Sequence, residues 1–424
     1  MEEAVQGFKS IVLSVLPLVL SLVLIFFSCT DPPPSFECTD RIECVTIGPG
    51  EPLKIGVLQA LSGKVSPLGK EQIRGLELAI DRQNGQILGH PVELQVEDTG
   101  CTSEGGANAA LKILADPQMV AIFGTTCSGA ARTASHAMSD AGLTMISGNN
   151  SAPFLTSIGG KKAPDFHPGF FRTSNNEENA GKAAAIFAFQ TLGIRRVALV
   201  NDGDIYTRGL TNGFRQAFEK LGGKLVLDTA INKGEKMMQP VLTAVKNAGA
   251  QLLFFPLFQP EGNLILRGAR EIPEYKDIVL MSDGALIENS FIQDVGEKGK
   301  GMYFVGPAKP KGPAVDLLAL EYQEKYKTPP GNYYYLNAYD AATLLLTAIE
   351  KTAIQESGTL HMGREALRRA IYETRNFKGV TGNLTCDEFG DCSRPAFDVL
   401  RLDDPGAGVT ALQENVIFSY TSEE

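Results

Sequence analysis

The side chains best able to do chemistry gather in one short stretch, "GTTCSG" at residues 124–129, where Cys127 and Ser128 stand side by side between two glycines. An apolar run at 119–123 leads in and a helix-like stretch follows, so the segment reads as a strand-to-helix turn. Three chemistries suit it: a nucleophile, a phosphate cradle, or a grip on another anion that is held without reaction. A serine nucleophile on such a turn needs Gly-x-Ser-x-Gly. Here Gly124 lies four residues before Ser128, and no His stands in another strand-end loop to act as base. A Cys127 engaged in a disulfide is no nucleophile. A phosphate loop needs Lys and then Ser or Thr after its last glycine, but Ala130 follows Gly129 and residues 120–131 hold no Lys or Arg. Anion capture remains. Free backbone N–H groups at a helix start, with the Ser128 hydroxyl, suit a carboxylate. "SGNNSAP" at 147–153 ends the next strand and offers Ser147, Asn149, Asn150 and Ser151 as further donors. An ordinary polar turn is the alternative for both loops.

These loops need elements to hold them. From Leu53 the chain alternates strand, turn and helix. "LKIGVLQAL" reads as a buried strand, "EQIRGLELAIDRQN" as a helix ending at Gly85, "HPVELQVED" as a strand, and "SEGGANAALKILADP" as a helix capped by Ser103 and closed at Pro117. "MVAIFG" and "GLTMIS" are short strands on either side of the helix after "GTTCSG". A second unit begins near residue 172, with strands at "RRVALVN", "KLVLDTAI", "AQLLFFP", "DIVLMSD" and "GMYFVGP". Helices are expected at 207–221 and about 237–247, then three helical patterns without strands across 313–374. "FDVLRL" and "TALQENVIFSY" read as closing strands. The alternation predicts an α/β protein with parallel sheets in two lobes. Ligands of open α/β sheets bind beyond the strand carboxyl ends. "GTTCSG", "SGNNSAP", "NDGDIY", "PLFQPEG" and "MSDGA" all fall there, as candidates for one cleft.

Composition narrows the partners. The 424 residues are 43% hydrophobic with a net charge of −10, and no basic stripe occurs, which argues against nucleic acid. Residues 1–29 read as a lipoprotein-type signal, closing in "LIFFSC" with Cys29 as the lipid-bearing residue. Phe26 and the acidic "MEEAVQGFK" depart from that pattern, and an uncleaved membrane anchor is the alternative; either places the rest outside the cytoplasm. Residues 30–52, rich in Pro, read as a tether. Six further cysteines allow 15 pairings. Local spacing favours Cys38–Cys44 and Cys386–Cys392, leaving Cys101–Cys127, and an oxidising compartment makes these structural. His90, His136, His167 and His361 are not paired at ligand spacing, so no metal or other cofactor is expected.

Taken in order, these features resemble the extracytoplasmic solute-binding proteins of ABC importers, the leucine/isoleucine/valine-binding protein-like family with the type I periplasmic binding fold. The likeness runs over residues 53 to about 402. It is carried by "KIGVLQALSGKVSPLG…GLELAIDRQN", "SGNNSAP", "FRTSNNEENAG", "NDGDIYTRGLTNGF" and "GVTGNLTCDEFGDCSRPAF", and by Cys101 and Cys127, which match the family's disulfide. The resemblance implies two Rossmann-like lobes joined by three crossovers: 53–172 plus 307–375, and 173–306 plus 376–424. By position, Ser128 with Thr126 and Cys127 falls where the family grips a ligand carboxylate. Asn149 falls at a backbone contact and Ser151 at a hydroxyl. Asp283 falls at the carboxylate that pairs with a ligand ammonium, and Tyr206, Phe258 and Tyr334 at cleft-wall aromatics. Leu68 stands where some members have Tyr. The Cys386–Cys392 staple is an addition to the general pattern. Two local alternatives stay open: Asp283 before Gly284 also suits a cap, and Tyr206 and Phe258 also suit a core.

The implied function is a lipid-anchored, non-enzymatic binding protein that captures a small amino acid, branched-chain type favoured, for an ABC transporter permease. A binder of an amide, urea or aromatic acid in the same fold is one alternative, and a sensory ectodomain is another. An enzyme is disfavoured by the missing base, metal and cofactor motifs.

Overall fold

The computed structural model describes residues 36–422. Cys29, the signal sequence and residues 30–35 of the expected tether lie outside the described residues. Strands β1 (Leu53–Gln59), β2 (His90–Asp98), β3 (Met119–Gly124), β4 (Thr144–Ser147) and β5 (Phe170–Arg172) form the first sheet in the order β2-β1-β3-β4-β5, all parallel. A two-residue strand, Gln86–Ile87, adds antiparallel to the outer edge of β2. Strands β6 (Arg196–Asn201), β7 (Lys224–Ala230), β8 (Leu252–Phe254), β9 (Val279–Asp283), β10 (Tyr303–Pro307), β11 (Ala396–Arg401) and β12 (Val416–Thr421) form the second sheet, ordered β7-β6-β8-β9-β10-β11-β12. Its first five strands are parallel and the last two antiparallel. Both inner strands β3 and β6 are apolar runs buried on both faces, as a parallel sheet covered by helices requires.

The helices that matter for the site are α1 (Ser66–Arg82), α2 (Ser103–Leu114), α3 (Ser128–Asp140), α4 (Glu178–Ile186), α5 (Ile205–Lys220), α6 (Gln239–Asn247), α7 (Glu261–Glu271), α8 (Pro313–Tyr326), α9 (Tyr334–Thr352) and α10 (Arg364–Tyr372). The first core packs Ile55 and Val57 of β1 with Leu76 of α1 and Leu345 and Ile349 of α9, all fully buried. The second packs Ala198, Leu253, Leu266 and Phe304. The chain crosses between the two lobes between β5 and α4, between β10 and α8, and before β11.

Several expectations needed correcting. Helix α1 starts at Ser66, ahead of the periodic stretch, because Pro67 sits in its first turn where no N–H is needed. The stretch read as tether contains the strand Cys44–Ile47, which pairs antiparallel with Thr359–Gly363 and buries Val45 and Ile47. Asp40 then caps α10 by accepting from the amides of Glu365 and Ala366 at 3.0 Å. The region read as purely helical holds a hairpin, Ile354–Glu356 with Thr359–Gly363, turned at Ser357 and Gly358, both at positive φ. "TALQENVIFSY" is a helix, Gly408–Glu414, before it becomes β12. A small hairpin, Phe377–Gly379 with Gly382–Leu384, packs on the first lobe. There Asp340 of α9 accepts from the Val380 and Thr381 amides at 2.8 Å, and Cys386 and Cys392 join the first core. Residues 377–392 thus pack with the first lobe, on the other side of the boundary expected at 375/376.

Candidate ligand-binding site

Strand order reverses at β1 in the first sheet and at β6 in the second. Loops from neighbouring strands diverge at such a point and leave a crevice. In the first lobe the crevice is walled by the loops after β3 and β4, which are laced together. Ser147 Oγ donates to the Thr125 carbonyl at 3.1 Å and accepts from the Asn149 and Asn150 amides. Asn150 Oδ1 takes the Thr125 amide at 2.8 Å, and Asn149 Nδ2 gives to the Thr126 carbonyl at 2.6 Å. A disulfide, Cys101–Cys127 with Cα atoms 5.3 Å apart, ties this loop to the start of α2. Arg172, fully buried at the end of β5, donates to the Ala152 carbonyl at 2.8 Å and pairs with Asp391, inside the Cys386–Cys392 staple. Cys38 and Cys44 are also disulfide-bonded.

Ser128 opens α3, so the first-turn N–H groups there have no intrahelical acceptor. Its Oγ accepts the Ser151 and Ala152 amides at 3.3 and 3.2 Å, which uses its lone pairs and leaves its O–H proton to donate. Thr126 contributes differently. Its hydroxyl accepts from the Ala60 amide at 2.9 Å and gives to Gln59 Oε1 at 2.7 Å, so only its backbone and its bulk face the crevice. The Asn149 amide is likewise committed, to Ser147.

The second lobe answers with rings and a carboxylate. Tyr206, in the first turn of α5, stacks on Phe258 with centroids 4.9 Å apart, and its hydroxyl donates to Asp283 Oδ2. Asp283 ends β9, is 0% exposed, and also accepts from the Ala285 amide at 3.2 Å and from Ser282 Oγ at 3.2 Å. Burial raises its pKa to about 6, against the pull of the Tyr206 hydroxyl. Tyr334 starts α9, and Gly284 lets it approach: a Cβ at that glycine would stand 2.6 Å from the Tyr334 hydroxyl. Gly129 serves closure in the same way, since a Cβ there would stand 2.3 Å from Asp204 Oδ2 of the opposite lobe. Lys233 adds a second tie across the cleft, donating to the Cys101 carbonyl at 2.7 Å.

Leu68, Thr126, Ser128, Asn149, Ser151, Tyr206, Phe258 and Tyr334 line one cavity, joined by Ala285. Cys127 and Asp283 stand directly behind this lining, one as the N-cap of α3 and the other under the Tyr206 hydroxyl. The cavity measures about 10 Å³, room for roughly one water, so anything larger enters only when the walls separate. One residue escaped the sequence reading. Glu177, in the crossover before α4, is 3% exposed, and burial followed by the nearby Asp283 charge raises its pKa to about 8. Ser151 and Tyr206 lie beside its carboxyl, yet its Oε2 has no hydrogen-bond partner. Its only signal in the sequence is its place in "FRTSNNEENAG".

Two lobes around a buried polar crevice at the switch points of both sheets define a two-lobed α/β binding protein. Residues 52–397 match the periplasmic binding protein family, and the chain belongs to it. A curated relative, the Leu/Ile/Val-binding protein homolog 3 of Brucella melitensis, is 27% identical over 357 residues, which is 83% of this chain and 92% of the relative. Among solved structures, a leucine binding protein from Thermotoga maritima is similar in fold, with TM-score 0.73 and 24% identity over 87% of this chain and 97% of its own. A solute binding protein from R. palustris in complex with benzoate superposes with TM-score 0.70 and 20% identity, over 87% and 95% of the two chains.

Proposed function

We propose that this protein captures a small amino acid, branched-chain type favoured, between its two lobes and delivers it to an ABC transporter permease. The observation that carries this is the polarity of the cavity. Ser128, with a proton to donate at a helix start, stands on the first-lobe wall, and the buried Asp283 lies behind the Tyr206 side. A zwitterion entering a dry site needs both of its charges met, because each costs several kcal/mol if left unpaired. The aromatic rings and Leu68 supply the apolar wall for the side chain. Ser151 belongs to the same grip, whereas Asn149 gives its backbone N–H to Ser147 and a side-chain N–H to the Thr126 carbonyl. The family supports an extracytoplasmic location, and Cys29 is the proposed lipid attachment point. We divide the lobes at the three crossovers, the last placed after residue 392, since the staple packs in the first core.

A second reading, an aromatic-acid binder, draws on the three rings at the cavity. It leaves Asp283 without a cation to meet. A thermal-shift screen of the full chain with amino acids, amides and aromatic acids separates the two. A true ligand at 100 times its dissociation constant adds about 2.7 kcal/mol. Leucine, isoleucine or valine is expected to raise the melting temperature. A shift from benzoate or an amide with none from any amino acid would reject the first reading.

A further inference from the structure

Two acceptors in and behind the cavity wall lack donors. Asn149 Oδ1 and Glu177 Oε2 are both buried with no hydrogen-bond partner. Asp283, fully buried, shares the Tyr206 hydroxyl with its surroundings, and the same tyrosine lies beside Glu177. A buried polar oxygen without a donor is costly, so each such oxygen marks a place where a donor is wanted. We propose that Glu177 is a second carboxylate for the ligand's cation, and that an ammonium seats among Glu177, Asp283 and the Asn149 side-chain oxygen. The inference rests on the amino-acid reading of the site.

Donor counting selects the ligand class. An ammonium brings three N–H donors and no acceptor, one for each of the three oxygens. A neutral amide brings two donors and its own carbonyl oxygen, and that oxygen would face carboxylates. An aromatic acid brings no cation at all. The groups facing Glu177 are few. Asp283 at the end of β9 repels its charge, and Arg172 at the end of β5 attracts it, though that guanidinium is committed to Asp391. Ser151 and Tyr206 flank it from the loop after β4 and from α5, and Tyr334 feels its charge from α9. Burial comes first in holding the Glu177 proton up to about pH 8, whereas Asp283 gives its own up near 6. At pH 7 the site therefore keeps its proton on Glu177. When the ammonium arrives, its charge favours the ionised carboxyl and the proton leaves to solvent. The ligand keeps all three of its own protons. Affinity then rises with pH, by up to about tenfold per unit below the Glu177 pKa.

The test is titration calorimetry of the full chain with leucine at pH 7, in two buffers of different ionisation enthalpy, and at pH 6 and 8, on wild type and Glu177→Gln. Wild type is expected to release close to one proton, with a dissociation constant that falls by roughly 50-fold from pH 6 to 8. The isosteric Glu177→Gln is expected to melt no lower than wild type. It should release almost no proton, lose the pH trend, and bind leucine about tenfold more weakly at pH 8. Equal affinity and equal proton release in the two proteins would overturn the inference, as would leucine binding to wild type without proton release. No heat from any amino acid on wild type would instead overturn the functional reading beneath it.

Discussion

At the scale of single residues, Asp283 shows how two readings of one side chain both hold. Its carboxylate caps the turn Gly284–Leu286 through the Ala285 amide, and the same carboxylate takes the Tyr206 hydroxyl under the cavity. Asp283→Ala is expected to weaken an amino-acid ligand by well over tenfold, since it strands a buried ammonium; calorimetry with unchanged affinity would remove Asp283 from the site. Ser128, Asn149 and Ser151 were legible in the sequence because each sits just past a strand, where ligands of this fold class meet the chain. Glu177 was not. Its crossover segment marks the family but not this side chain, whose neighbours Ser151, Tyr206 and Asp283 are brought to it only in the folded chain.

At the scale of elements, the long apolar strands and periodic helices could be read directly, and the exceptions have local causes. Residues 66–70 lack an apolar period, so the first turn of α1 is marked in the sequence by Pro67 rather than by periodicity. The Ser357–Gly358 turn is a hairpin signal that a run of helical patterns masked. The start of α3 gives the sharpest test of closure. Alanine is the better helix former than glycine by roughly 0.5–1 kcal/mol, so Gly129→Ala should hold or raise the melting temperature. Yet the added methyl carbon would meet Asp204 of the other lobe at 2.3 Å. Ligand affinity is therefore expected to fall while stability does not. A variant that binds as tightly as wild type would show that α3 and Asp204 need not meet for capture.

At the scale of the whole molecule, two lobes and their parallel sheets followed from the alternation of strands and helices. The exact crossover did not, because Asp340 and the Cys386–Cys392 staple hold residues 377–392 to the first lobe through contacts far apart in sequence. The buried acids set the response of the entire fold to pH. Glu177 and Glu288 are raised to about 8 and Asp283 to about 6, each chiefly by burial. The folded chain thus holds protons that the unfolded chain has already released above its ordinary carboxyl range. Their contribution is full below the unfolded values near 4 and is lost as pH rises through 6 to 8. Asp98 and Asp116 are lowered instead, so their support disappears only in stronger acid. Melting temperature without ligand is expected to peak near pH 5 and fall toward pH 8, as differential scanning calorimetry would record. A flat profile would mean that these carboxyls are better solvated than their burial implies.

The bond from Tyr206 to Asp283 also bears on unloading. On the proposed reading, a ligand cation meets a carboxylate whose Oδ2 already holds the Tyr206 hydroxyl and the Ala285 amide, with Ser282 on Oδ1. Those donors stay in place when a cation withdraws, so the emptying site would not expose a naked buried charge. A carrier that must hand over its cargo would gain from such standing partners, because they lower the cost of unloading.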